Sequence, residues 1–183
     1  NNRREENNLG EPIPGGAVVA IDVDTSEPLV LASYPSFDPA TLLEDYNELA
    51  EQTNAPLLNR TLMGLYEPGS TYKMAVAIAA LDRGIISTGS TITDEVTYSR
   101  YANEGYAPSC WVKGSGGSHG TINVSQALTV SCNYFFYSLG DSLQEPVMTE
   151  YAQLFGFGQK TGIELPEYTG YIATPERLSE TQD

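Results

Sequence analysis

The run from Met74 to Leu81, MAVAIAAL, contains no polar residue. At helical spacing it offers no polar face, and a helix that is apolar all round belongs inside a protein. Its boundaries agree with that reading. Pro68-Gly69-Ser70 upstream makes a turn with a serine at the helix start, and Asp82-Arg83-Gly84 downstream makes a C-terminal stop. The expectation is therefore a buried helix over about Ser70–Arg83. A chain of 183 residues with 40% apolar residues is long enough to enclose it in one domain. The anomaly is Lys73, a lone cation at the head of a segment built to be buried.

Ser70 and Lys73 are three residues apart, which places them on one face of a helix. A lysine in apolar surroundings is disfavoured as a cation, and its pKa can fall by about 3–5 units. That brings a neutral amine within reach, and a neutral amine beside a serine is a general base beside a nucleophile. The helix N-terminus adds a partial positive charge that favours negative charge on the serine oxygen. Taken alone, the pair is equally compatible with an N-cap serine and a lysine whose head reaches water.

The rest of the chain gives a coarse order of elements. Residues 1–14 are polar and aperiodic and read as a linker or frayed end. The opening Asn suggests a piece of a longer polypeptide. AVVAIDV and PLVLAS, separated by Asp24-Thr25-Ser26-Glu27, read as a β-hairpin. Pro28 cannot donate a ladder hydrogen bond, which makes the turn there irregular. Thr41–Gln52 is acidic, and Glu44, Asp45, Glu48 and Glu51 form a solvated helix face. Residues 87–120 have no sustained period and read as a long loop with short strands. Asn123 and Gln126 resemble a capping box at the start of a second helical region. Tyr134-Phe135-Phe136-Tyr137 reads as core, and Pro146 as the first residue of a further helix.

Four separated segments, GAVVAIDVDTSEPLVLASYPSFDP, NRTLMGLYEPGSTYKM, SCNYFFYSLG and FGFGQKTGIELP, resemble the transpeptidase domain of class B penicillin-binding proteins, and most closely the elongation-type members. The resemblance runs from Gly15 to Pro166 in the family's order. It implies an α/β (α+β) penicillin-binding, serine β-lactamase-like fold: an N-terminal hairpin and a mostly helical lobe over residues 15–183, with the C-terminal sheet strands missing. It also implies that Ser70 is the acyl-accepting nucleophile and Lys73 its base. Ser131-Cys132-Asn133 matches the family's S-x-N motif. Ser131 would relay a proton to the leaving amine, and Asn133 would bind the substrate's peptide group.

The implied reaction is cross-linking of peptidoglycan stem peptides, with β-lactams acylating the same serine. Lys160-Thr161-Gly162 spells the family's third motif but follows Asn133 too closely. It reads as an exposed loop, and the true motif is expected beyond Asp183. The fragment alone is expected to be inactive. Its parent would be anchored at the extracytoplasmic face of the bacterial inner membrane, with the anchor outside this chain, and would act with a glycosyltransferase in an elongation complex. A serine β-lactamase and a non-enzymatic β-lactam sensor share the first two motifs. No glutamate-bearing deacylation loop is evident after Asn133, which disfavours the first of these.

Cys110, His119 and Cys132 are the only cysteines and histidine. Some elongation-type relatives resemble this pattern and bind a metal beside the active site, with Asp94 placed to be a fourth ligand. Two thiols, an imidazole and a carboxylate suit tetrahedral zinc. This would be a structural ion, since the serine chemistry itself requires no cofactor. A Cys110–Cys132 disulfide, or a Cys132 that is simply a buried apolar side chain, remain the other readings. Charge narrows the partners further. A formal net charge of -15 would repel nucleic acid and anionic lipid surfaces.

Overall fold

The computed structural model describes residues 13–174; almost all of the expected linker over residues 1–14 lies outside them. The described residues divide into two compact units. One is formed by residues 13–66 with Gly162–Tyr168, the other by Glu67–Thr161 with residues 169–174. The architecture is mixed helix and strand, with two small antiparallel sheets.

In the first unit, β1 (Gly16–Ile21) pairs antiparallel with β2 (Pro28–Tyr34) from Gly16↔Tyr34 to Ala20↔Val30. The register shifts between Ala20 and Ile21, where Ile21 faces Pro28. A proline at the first residue of a strand forfeits no interior ladder bond, so the irregularity expected from Pro28 is confined to the turn. The Asp22 carboxylate closes that turn by accepting from the Asp24 and Thr25 amides, each at 2.9 Å. Helix α1 (Leu42–Glu51) has no buried residue, as its acidic sequence suggests.

The short helix α2 (Arg60–Met63) brings Arg60 into the interior. Its guanidinium donates to the carbonyls of Ala55 (2.9 Å) and Asn54 (2.5 Å), and its amide donates to Ser33 Oγ. Among the described residues, its hydrogen-bond acceptors are all neutral. A Cβ at Gly15 would lie 2.6 Å from Arg60 Nε, so a larger residue there would have to displace the guanidinium.

The second unit is built on two helices, α3 (Lys73–Asp82) and α5 (Asn133–Leu154), with α4 (Val124–Thr129) between them in sequence. The alanines of α3 allow close approach. Ala79 and Ala80 are fully buried, and the core they join includes Val76, Ala127, Cys132, Phe135 and Leu139. The expectation of burial all round fails on one face, where Met74 is 58% and Ile78 46% exposed. These two are one turn apart, on the side that nothing among the described residues covers.

Strand β3 (Thr91–Asp94) pairs antiparallel with β4 (Gly120–Asn123), so the two ends of the long loop meet as a two-stranded sheet. Asn123 then caps α4 as a full capping box. Its side chain accepts from the Gln126 amide at 3.0 Å, and Gln126 Oε1 accepts from the Asn123 amide at 2.9 Å. Helix α5 breaks at Gln144 (φ 64°), and Pro146 opens its second half as the sequence suggests.

Candidate active site

Ser70 does not begin the α-helix. It lies on a single 3-10 turn, Gly69–Tyr72, whose carbonyl at Ser70 accepts the Lys73 amide, and the α-helix proper starts at Lys73. The turn begins with Gly69 at φ 56°, a left-handed conformation that glycine adopts without steric cost. Residues three apart eclipse on such a turn. Ser70 and Lys73 therefore share a face even though the helix is shorter than the sequence suggests. Ser70 itself is exposed.

The Lys73 amine is directed at the S-x-N segment. Nζ lies 2.8 Å from the Ser131 carbonyl oxygen, 3.0 Å from Ser131 Oγ and 2.6 Å from Asn133 Oδ1. No hydrogen bond joins it to Ser70 among the described residues. The Phe136 ring, one turn along α5 from Asn133, lies with its centroid 5.6 Å from Nζ. Burial lowers the Lys73 pKa from the ordinary value of 10.5, while negative charge on Cys110 or Cys132 works in the opposite direction. Among the described residues, the hydrogen bonds of the lysine that the sequence sets three residues from Ser70 all go to the second motif.

The backbone explains how Ser131 reaches the amine. Helix α4 ends in a Schellman arrangement. The Ser131 amide donates to the Leu128 carbonyl (3.1 Å), and the Cys132 amide donates to the Ala127 carbonyl (2.9 Å). In that motif the residue after the C-cap is left-handed and usually glycine; here it is Ser131, at φ 50°. Cys132 then becomes the N-cap of α5, with its sulfur 3.5 Å from the Phe135 amide, and Asn133 is the first helical residue. One tight reversal thus presents a serine hydroxyl and an asparagine oxygen to a single amine. A left-handed serine costs stability that glycine would not. Both Ser131→Gly and Ser131→Ala lose the hydroxyl, and Ser131→Ala is therefore expected to be less stable than Ser131→Gly by about 1 kcal/mol. Equal melting of the two variants would contradict the strain.

Asp94, Cys110, His119 and Cys132 converge beside this reversal, with one ligand atom from each lying within 4.8 Å of the others. His119 Nδ1 is 2.8 Å from Asp94 Oδ2 and 3.4 Å from Cys110 Sγ, and the two sulfurs are 3.9 Å apart and unbonded. Asp94 is the last residue of β3, and His119 immediately precedes β4. Burial works to raise the Asp94 pKa. The amides of His119 and Val96 and the His119 ring outweigh burial and hold the carboxyl below its ordinary range. Burial pushes the Cys132 thiol up to about 12, with Cys110 and Asp94 adding to the rise.

A fit to zinc can be judged on geometry. Zn–S bonds near 2.3 Å in a tetrahedron require a sulfur–sulfur edge of about 3.8 Å, close to the 3.9 Å found here. His119 Nε2 is buried and has no hydrogen-bond partner among the described residues. That is the atom left carrying the proton when Nδ1 serves as the ligand. The four residues fit the ion.

Lys160 and Thr161 lie in irregular, exposed backbone and belong to no strand, in keeping with a loop in place of the third motif. Two features were not legible in the sequence: the left-handed Ser131 and the Phe136 ring beside the amine. A signal for the second existed in the three-residue spacing from Asn133.

Known proteins share this arrangement of elements. The family described as the penicillin binding protein transpeptidase domain matches residues 16–182. The peptidoglycan D,D-transpeptidase MrdA of Acinetobacter baumannii is 37% identical over 167 residues, covering 88% of this chain and 24% of the relative. Among solved structures, PBP2 of Pseudomonas aeruginosa superposes with a TM-score of 0.80 at 33% identity, covering 91% of this chain and 38% of that one. The imipenem acyl-enzyme of penicillin-binding protein A from M. tuberculosis superposes with a TM-score of 0.71 at 26% identity over 84% of this chain and 38% of that one. The chain spans about a quarter of the length of the curated relatives it matches. With nearly all of its sequence matched by one domain family, and with the fold of the solved relatives, the chain belongs to the penicillin binding protein transpeptidase domain family.

Proposed function

We propose that this chain carries the nucleophile half of a peptidoglycan D,D-transpeptidase. Ser70 is the acyl-accepting serine, Lys73 its base, Ser131 the proton relay and Asn133 a substrate-binding residue. The observation that supports this most directly is the half-buried Lys73 amine, three residues from Ser70 and bonded to both Ser131 and Asn133. Of its three contacts, only Ser131 Oγ can both give and accept a proton. A neutral Lys73 would donate to the Ser131 carbonyl and Asn133 Oδ1 and keep its one lone pair for the Ser70 proton; once protonated, its third N–H faces Ser131 Oγ.

In the forward reaction the Ser70 oxygen attacks the penultimate D-Ala carbonyl of a stem peptide, and its proton passes to Lys73. As the bond to D-Ala breaks, Ser131 gives its proton to the departing amine and takes one from Lys73, leaving an acyl-enzyme on Ser70 and a neutral lysine. A neighbouring peptide amine then attacks that ester, the acyl C–O bond to Ser70 breaks, and the proton lost by the amine returns to Ser70 through Ser131 and Lys73, leaving the cross-link and the free serine. Ser70's own amide lies in the opening turn, where N–H groups lack intrahelical acceptors, and so supplies one oxyanion donor. A β-lactam would follow the first half of this path and stop at the acyl-enzyme.

The test is acylation of the full-length protein by a fluorescent penicillin, with the adduct mapped by mass spectrometry. The adduct is expected on the peptide containing Ser70 and is expected to persist. Label at another residue, or release of nearly all label within seconds, would overturn the assignment. The second outcome would indicate a β-lactamase. The pH dependence follows from the lysine. Only the neutral amine accepts the serine proton, so the acylation rate rises with pH through the Lys73 pKa. The burial of Lys73 places this acid limb below the ordinary 10.5.

The Asp94–Cys110–His119–Cys132 set is proposed to hold a structural zinc that ties the long loop to the S-x-N reversal. When bound, zinc would hold both thiols as thiolates. Every catalytic step remains with Ser70, Lys73 and Ser131. Cys110 and Cys132 are expected to resist alkylation in the zinc-loaded native protein and to react after chelation. Equal reactivity with and without chelator would remove the metal from the proposal. As partners we propose stem peptides and β-lactams, with a glycan-polymerising enzyme beside the parent at the outer face of the inner membrane. Among the described residues, no helix is long and apolar enough to cross a membrane.

A further inference from the structure

The stretch between β3 and β4 forms a closed lobe whose neck joins two members of the donor set. The Cys110 amide donates to the Val96 carbonyl at 2.6 Å, and the Tyr98 amide donates to the Pro108 carbonyl at 2.8 Å. Thr97 and Ser109 pair between them as an isolated bridge. One residue of the neck is strained: Val96 has φ 70°, a true outlier for a β-branched side chain. Its amide donates to Asp94 Oδ1 at 2.8 Å, and its carbonyl is the one that holds Cys110. Such a conformation persists only where the surroundings over-determine it.

The residues that follow Val96 pack on α5. Tyr134, Tyr137 and Asp141 are spaced three and four residues apart and so line one face of that helix. The Tyr98 ring meets the rings of Tyr134 and Tyr137 at 5.5 and 6.2 Å between centroids. The Asp141 carboxylate accepts from the Tyr98 hydroxyl at 2.9 Å and from the Tyr101 hydroxyl, and it pairs with Arg100 at 2.7 Å. Arg100 is mostly exposed and Asp141 only 12% exposed, so the two phenols bear most of the hold. Asp141 makes no hydrogen bond to any of the four donors. It acts two residues downstream of the strained valine, from the helix that begins at Asn133.

We infer that Asp141 is a positioning residue for the Asp94–Cys110–His119–Cys132 set. By clamping residues 98–101 to α5 it holds Val96 left-handed, and through Val96 it fixes where Asp94 and Cys110 stand. The inference rests on the zinc reading given above, and its test separates the two.

Zinc affinity of the full-length protein is measured by competition with a chromogenic chelator, and the site is reported separately by the thiolate absorption of the cobalt-substituted protein. Asp141→Asn is expected to weaken zinc by about 10-fold or more and to alter the cobalt spectrum. Adding Val96→Gly is expected to restore most of the loss, because glycine holds the left-handed turn without a clamp. Should Asp141→Asn fail to fold, Tyr98→Phe keeps the ring and loses one hydroxyl. It is expected to show a smaller loss that the same glycine rescues. Binding by the folded Asp141→Asn variant within about twofold of the parent, or no recovery with Val96→Gly, overturns the inference. A parent protein that does not compete for zinc overturns the zinc reading and the inference with it, and that outcome is read on the parent alone.

Discussion

Lys73→Arg is expected to leave the fold in place and to slow acylation by a fluorescent penicillin by about 100-fold or more. Arginine retains a cation where the Ser131 carbonyl, the Ser131 hydroxyl and Asn133 Oδ1 each accept from the lysine. What it cannot do is give up its proton, because a guanidinium remains charged throughout the accessible pH range. The substitution therefore removes the base while conserving the charge. Stopped-flow acylation rates and a melting curve check both halves. The acid limb in the parent's pH profile should vanish in the variant along with the rate. A variant that reacts within about tenfold of the parent would show that another group takes the Ser70 proton.

The largest effect on stability is expected from Phe135→Ala. Phe135 is 1% exposed, packs its ring 5.6 Å from that of Phe136, and follows the Cys132 cap in the first turn of α5. Removing a ring from such a site costs about 3–5 kcal/mol, because transfer free energy is lost and the cavity relaxes only in part. For a chain of this size that corresponds to a fall in Tm of roughly 6–20 °C. Leu43→Ala is the matching control. Leu43 is 93% exposed, so its loss should stay within about 0.5 kcal/mol. If the two variants melt together, the core is not where the structure puts it.

The sequence made legible those features that local chemistry decides. The hairpin, the acidic surface helix, the capping box at Asn123 and the restart of helix at Pro146 all follow from residues within a turn or two of one another. The segments that resemble a known family brought the remaining placements, including the gathering of Asp94, Cys110, His119 and Cys132. What stayed hidden depends on partners distant in the chain. The unbroken apolar run announced that α3 would be buried, but not that its alanine side would pack on α5 while Met74 and Ile78 face outward. The three-residue spacing of Ser70 and Lys73 was visible, yet the amine's preference for Ser131 and Asn133 comes from a reversal some sixty residues away. Val96 carries no compositional sign of being left-handed, and Ser131 stands where such a helix end is usually marked by glycine.

The geometry of Ser131 narrows the alphabet available at its position more than its chemistry does. Threonine carries the same hydroxyl and would serve any proton relay, but its second branch at Cβ crowds a chain that turns with the opposite hand. Glycine fits the turn and has no hydroxyl to offer. Serine is the smallest side chain that satisfies both demands, so almost no substitution at this site keeps both the turn and the proposed relay.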